Sequence, residues 1–139
     1  MVMVDTGFWL ALINREDANR SQARKVLIRI QNPLVTTWPV VTETCYLLLK
    51  RVGNHAQAQF MEDVAARKFH VFETPVNQAL RISKLMKQYA DLPMDLADAS
   101  LIILAEYLGH GRILSADQRD FNTYRWKNRE PFENLMFPT

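Results

Sequence analysis

Four acidic residues, Asp5, Glu43, Asp98 and Asp117, stand where apolar segments stop or are interrupted, and they are spread so widely over 139 residues that only folding can bring them together. Asp5 directly follows Val2-Met3-Val4, Asp117 follows Ile113-Leu114-Ser115-Ala116, and Glu43 lies a few residues into the segment opened by Pro39. Asp98 interrupts a stretch, 94–108, that is apolar almost all round and therefore expected to be buried. Burying an unpaired carboxylate costs several kcal/mol even after relaxation, so Asp98 needs a compensating partner. The neighbouring segments supply few cations, Arg119 being the nearest. Carboxylates that converge without matching cations raise one another's pKa values, whereas Mg2+ or Mn2+ reconciles them through hard oxygen ligands. Such an ion polarises a phosphoryl oxygen, lowers the pKa of a bound water and steadies a leaving oxygen, which makes phosphodiester hydrolysis the natural chemistry.

Competing chemistries lack their residues. His55, His70 and His110 are scattered and no Cys/His ligand spacing exists, which disfavours zinc. There is no GxxxxGK[ST] loop to cradle a nucleoside triphosphate and no GxSxG nucleophile elbow. The single cysteine, Cys45, lies in the apolar run 45–49, so no intrachain disulfide is possible and a buried thiol in a reducing compartment is expected.

Short strands and helices alternate to position these acids. Strands are expected at 2–4, 34–37, 69–72 and 112–115, with a possible fifth at 135–137. Helices are expected at 8–13, 19–31, 39–52, 54–67, 75–89 and 94–108, with Ala23, Val26, Leu27 and Ile30 forming the inward stripe of the second. Pro33 stops that helix, while Gly53 and Gly109 end two others through the left-handed cap preference. This order predicts an α/β fold, a three-layer α/β/α sandwich with a mostly parallel central sheet and right-handed crossovers. Ligands gather beyond the carboxyl ends of such strands, the edge to which Asp5, Glu43 and Asp117 belong and from which the helix bearing Asp98 enters.

The length suits one domain, 1–139, and 48% hydrophobic with 23% charged residues describes an ordered protein, only the C-terminal fringe looking loose. A net charge of +2 permits a nucleic-acid partner without identifying one. The N-terminus lacks a basic region, and its longest apolar run, 8–13, is too short for a signal core or a membrane span, so a cytoplasmic protein is expected.

Val4-Asp5-Thr6-Gly7, Thr42-Glu43-Thr44, Leu96-Ala97-Asp98-Ala99-Ser100-Leu101 and Ser115-Ala116-Asp117 followed by Asp120-Phe121 together resemble the PIN-domain nucleases, most closely the VapC-type toxins of prokaryotic toxin–antitoxin pairs. The pieces span nearly the whole chain in the family's order. The resemblance implies a Mg2+- or Mn2+-dependent endoribonuclease acting on RNA, a cognate antitoxin that covers the active site, and a homodimer. It makes Asp5, Glu43, Asp98 and Asp117 the acidic quartet and Thr6 a supporting contact to a ligand or to metal-bound water. Ser115 keeps a hydroxyl where the family often has Thr or Asn, and Gly7 stands where Asn or Ser is frequent.

Plainer roles compete for several of these residues. Asp5 would serve as a helix N-cap, Glu43 would favour the positive end of its helix, and Asp95 is expected to cap near Pro93 while also being placed to support the metal. Asp120 rivals Asp117 for the site and is otherwise expected to cap the turn before Phe121. Arg24, Lys25, Arg29, Lys50 and Arg51 read as a solvated face with the option of tracking an RNA backbone. Met86, Met94, Phe8 and Trp9 read as core or interface, and Trp38 and Trp126 stay open. A receiver-like module that accepts a phosphoryl group on an aspartate would need an Asp after the third strand, where this chain has Glu73-Thr74. A catalytically silent binding protein would hold its acids for structure alone.

Overall fold

A computed structural model describes residues 1–138. Five parallel strands, β1 (Val2–Val4), β2 (Leu34–Thr37), β3 (His70–Phe72), β4 (Arg112–Leu114) and β7 (Glu133–Asn134), form one sheet in the order β3-β2-β1-β4-β7. A two-stranded antiparallel ribbon, β5 (Arg125–Trp126) with β6 (Glu130–Pro131), stands apart from it. Helices α1 (Thr6–Ile13), α2 (Arg20–Arg29), α3 (Trp38–Arg51), α4 (Asn54–Ala65), α5 (Ala79–Gln88), α6 (Leu96–Leu108) and α7 (Gln118–Thr123) connect the strands.

The chain steps from β1 through β2 to β3 in one direction and then returns to lay β4 on the other flank of β1. Right-handed crossovers therefore put the helices of the two runs on opposite faces, giving the expected three-layer α/β/α sandwich. The reversal lies between β1 and β4, the strands that deliver Asp5 and Asp117, and a switch of this kind opens a crevice at the strands' carboxyl ends.

The core explains the apolar pattern. Val2, Met3, Val4, Ile113 and Leu114 are buried along the two central strands, and α6 is buried from Ala99 to Ala105. Ala23 and Val26 of α2 are buried, with Leu27 and Ile30 packed against the core at its edge. Phe8 and Trp9 join the core, where Trp9 meets Phe60 and Phe69 at ring-centroid distances of 5.4 and 4.4 Å. No helix among the described residues is long and apolar enough to cross a membrane.

Several boundaries differ from the sequence expectation for local reasons. The expected helix 75–89 begins as a 3-10 turn, Val76–Gln78, before α5, and α6 starts at Leu96 because Asp95 caps it by accepting the Asp98 amide at 2.9 Å. Gly109 takes the left-handed conformation at φ 78 as expected, but Gly53 sits at φ 144 and ψ 172, an extended positive-φ state open to glycine rather than a left-handed cap. The fifth strand pairs at Glu133–Asn134 instead of 135–137. Within the described part of the C-terminal fringe, expected to be loose, Met136 is fully buried and its carbonyl accepts Gln22 Nε2 at 2.9 Å. Cys45 is half-buried rather than buried.

Candidate metal centre

Each acid reaches the cleft by a different local device. Asp5 occupies the N-cap position of α1 but caps nothing with its side chain. Its carboxylate accepts instead the Ser115 hydroxyl at 2.6 Å, while its amide donates to Leu114 O at 3.1 Å and ties the end of β1 to β4. Glu43 rides on the second turn of α3, whose start is set by Pro39 and by the Thr37 hydroxyl that accepts the Val40 amide at 3.4 Å. Thr37 also meets the Ser100 hydroxyl at 2.7 Å, with both side chains buried, and this contact pins the start of α3 to the first turns of α6. Asp98, in the first turn of α6, receives the Tyr124 hydroxyl at 3.2 Å.

The capping expected of Asp120 belongs to Asp117, whose Oδ1 accepts the Asp120 amide at 3.0 Å and starts α7. Asp120 lies inside the first turn of that helix, with its Oδ1 buried and without a hydrogen-bond partner. The Thr6 hydroxyl is likewise buried with no partner in good hydrogen-bond geometry. Asp95 caps α6, as anticipated, and faces the same cleft.

One cleft of about 770 Å³ collects Asp5, Glu43, Asp95, Asp98, Asp117 and Asp120, six carboxylates, against the two guanidiniums of Arg51 and Arg119. Arg119 stands 3.6 Å from Asp120 and is itself largely exposed. Buried, and with Glu43 and Asp117 adding repulsion, Asp5 is pushed up to about 6 despite its bond from Ser115. Burial, followed by the charges of Asp95 and Asp5, pushes Asp98 up to about 8, against the opposing pull of the Tyr124 hydroxyl. Glu43 is raised by burial and by Asp95, with the nearby Thr6 hydroxyl pulling the other way. Burial and Asp117 push Asp120 up to about 6. Tyr124 in turn is held far above the ordinary phenol value by burial and by Asp98, so it stays a donor at every pH of interest.

Among the described residues, no group of three or more His, Cys, Asp or Glu side chains is drawn together as a ready-made metal cage. The donor set nonetheless fits a hard divalent ion of the Mg2+ type, which binds through one or two carboxylates and keeps several waters. Oxygen ligands dominate the cleft, its carboxyls are raised for want of cations, and Thr6 Oγ1 and Asp120 Oδ1 are left without hydrogen bonds. Among the described residues nothing resembling a soft Cys/His site competes.

Sequence reasoning missed Tyr124 and did not place Arg51 at the acidic cleft. Arg51, read as part of a solvated face with the option of tracking an RNA backbone, is exposed and lines the cleft from the last turn of α3. Tyr124 belonged to no expected element and is fully buried beneath Asp98. Gly7 packs so closely on the loop bearing Asp117 that an added Cβ would lie 3.0 Å from Ala116 Cβ. The Glu73 segment, decisive for a receiver-like module, lines a different hollow beside Trp38 and Pro39.

Comparison with known proteins agrees with this architecture. The chain is 23% identical over 124 residues to Ribonuclease VapC26 of Mycobacterium tuberculosis (strain ATCC 25618 / H37Rv), covering 89% of this chain and 92% of that protein. Its fold matches the crystal structure of VapC20 of Mycobacterium tuberculosis, described as a sarcin-ricin loop cleaving toxin, with a TM-score of 0.80 and 20% identity over 86% of this chain and 92% of that one. The PIN domain profile matches residues 2–127, nearly the full length, and the chain belongs to the PIN domain family.

Proposed function

We propose that this protein is a Mg2+- or Mn2+-dependent endoribonuclease and the toxin of a toxin–antitoxin pair, acting in the cytoplasm as a single PIN domain over 1–139. The observation that carries the reading is the convergence of Asp5, Glu43, Asp98 and Asp117, from four distant segments, on one cleft with too few cations to neutralise them. Relatives named as a ribonuclease and as a sarcin-ricin loop cleaving toxin support the choice of RNA.

Asp5, Glu43, Asp98 and Asp117 would hold the metal, with Thr6, Asp95 and Asp120 orienting water around it. When bound, that ion supplies Lewis-acid stabilisation to the phosphoryl oxygens and a more acidic water. Asp5 is steadied by Ser115 and Asp98 by Tyr124, so each carboxylate keeps a fixed direction without losing its charge to an arginine. One cleft carboxylate takes the proton of the attacking water. The water oxygen bonds to phosphorus, the bond to the leaving sugar oxygen breaks, and that oxygen takes a proton from solvent water while the cleft carboxyl returns its own proton to solvent. Arg51 and Arg119, at the rim, meet the flanking phosphates.

Two protein partners fit the surface. An antitoxin that places a cation in the cleft would silence it by taking the ion's role. A second copy of the chain would cover the exposed apolar side chains Trp38, Tyr46 and Leu96 beside the cleft. The test is RNA cleavage by the purified protein with and without Mg2+. Asp98→Asn should lower cleavage on the order of 10³-fold with the fold retained by circular dichroism. Cleavage at the wild-type rate in that variant, or in the presence of chelator, would reject the reading.

A further inference from the structure

The backbone ladder between β4 and β7 ends with Ile113 opposite Asn134, yet the pairing continues two residues on, at Ser115, through a side chain. Asn134 Oδ1 accepts the Ser115 amide at 3.1 Å, and Asn134 Nδ2 donates to the Ser115 carbonyl at 2.9 Å. The side-chain amide thus takes the place of a further strand residue. Oδ1 also accepts the Met136 amide at 3.1 Å, so two N–H groups meet one end of the Asn134 amide and a carbonyl meets the other. Its orientation is therefore dictated by its neighbours. Ser115 is fully buried, and without Asn134 its N–H and C=O would lose these partners in a place where unpaired groups are expensive.

The consequence runs one bond further. Ser115 Oγ donates to Asp5 Oδ2 at 2.6 Å and accepts the Asp117 amide at 3.0 Å. The residue whose backbone Asn134 grips therefore holds two of the cleft acids, one by its carboxylate and one by its main chain. We infer that Asn134 is a positioning residue for the cleft: its amide fixes Ser115 so that the Ser115 hydroxyl keeps Asp5 and the loop bearing Asp117 in register. Asn134 lies on the last strand, beyond the residues 2–127 matched by the family. The inference rests on the nuclease reading above, because what it positions is the proposed metal-holding pair. It also gives the C-terminal strand a part in catalysis, carried by three bonds from one side chain.

The test is a double-mutant cycle of Asn134→Ala, Ser115→Ala and the pair, read by RNA cleavage kinetics and by calorimetric titration of Mn2+. Residues that orient ligands typically account for about 10- to 100-fold in metal affinity or activity. Asn134→Ala is expected to lower kcat by about tenfold or more with KM for RNA held within about twofold, and to weaken Mn2+ binding by about tenfold. In the Ser115→Ala background the same change should cost no more than about a further twofold, since the connection is already cut. Losses that multiply in the double variant, or an Asn134→Ala protein with wild-type kcat and Mn2+ affinity, overturn the inference. Should Asn134→Ala fail to fold, Asn134→Asp removes the donor to the Ser115 carbonyl while keeping the shape, and the same expectations apply. Hydrogen exchange of the Asp117 amide is read without catalysis: it should quicken in Asn134→Ala, and unchanged protection contradicts the proposal. A wild-type chain that binds RNA but never cleaves it rejects the nuclease reading, and the exchange measurement alone then decides the role of Asn134.

Discussion

Helix α6 carries two carboxylates about two turns apart in opposite surroundings. Glu106, near its C-terminal end, accepts both Arg81 Nε at 2.8 Å and Arg81 Nη2, and also takes the Lys127 amide. Burial alone would push Glu106 up, but Arg81 and Lys127 outweigh it and hold the carboxyl below its ordinary value. Asp98, near the N-terminal end, has a single phenol donor and three acidic neighbours acting on it, and it is pushed up to about 8. Glu106 fastens α6 to α5 and to the β5–β6 ribbon, so its charge is spent on structure. Asp98 is kept short of cations and so holds its proton until something that can replace it enters the cleft. On the nuclease reading proposed above, paired acids mark the scaffold and unpaired ones the chemistry.

Neutralising each acid should expose that difference, and the largest effect is on pH and metal. The native protein holds protons on Asp98 and Asp5 at pH values where the unfolded chain has released them, because their folded pKa values, about 8 and about 6, lie above the ordinary carboxylate range. Metal-free stability is therefore fully present below about pH 4 as far as these groups are concerned, and it declines as pH rises toward 8. Thermal melts across that window should show the decline, and saturating Mg2+ should flatten it. A metal-free melting temperature that rises with pH throughout would contradict the uncompensated cleft.

Asp98→Asn should lower cleavage on the order of 10³-fold and yet raise the metal-free melting temperature at pH 8. If only about 1 kcal/mol of the burden is relieved, the gain is about 3 °C. Glu106→Gln should do the reverse: it breaks a half-buried fork, lowers stability by about 1–2 kcal/mol, and leaves cleavage within about twofold of wild type. Equal signs for the two melting shifts would erase the distinction.

How far this contrast was legible from sequence depends on the range of the interactions involved. Asp5, Glu43, Asp98 and Asp117 stood out because each interrupts or ends an apolar segment, and that pattern is local. Strands β1, β2 and β4 and helix α6 were legible for the same reason. The roles of Asp117 and Asp120 were harder to separate: either can cap a short helix, and only the turn geometry assigns the cap to Asp117. Helix α7 is six residues long and mostly polar, so it offers no periodic stripe. The β5–β6 ribbon turns through Lys127 and Asn128 at φ 51 and 60, a mirror-image turn made without the glycine that usually announces it. Tyr124 and Asn134 matter through side-chain bonds that span 26 and 19 positions, and Arg51 through where its helix happens to end. No spacing rule reports those.

A smaller change sharpens the picture at Asp98 itself. Tyr124→Phe removes the one donor that favours the charged carboxylate, so the pH at which Mn2+ binding reaches half its maximum should move upward, with cleavage at neutral pH reduced by about threefold to tenfold. An unmoved binding profile would reduce Tyr124 to packing against Tyr89 and Phe121.

The most direct measurement is calorimetric titration of Mn2+ into the wild-type protein and into Asp98→Asn at neutral pH, in two buffers of different ionisation enthalpy. The account predicts saturable binding by the wild type with net proton release, and its loss in the variant. Binding without proton release, or equal binding by both proteins, would contradict it.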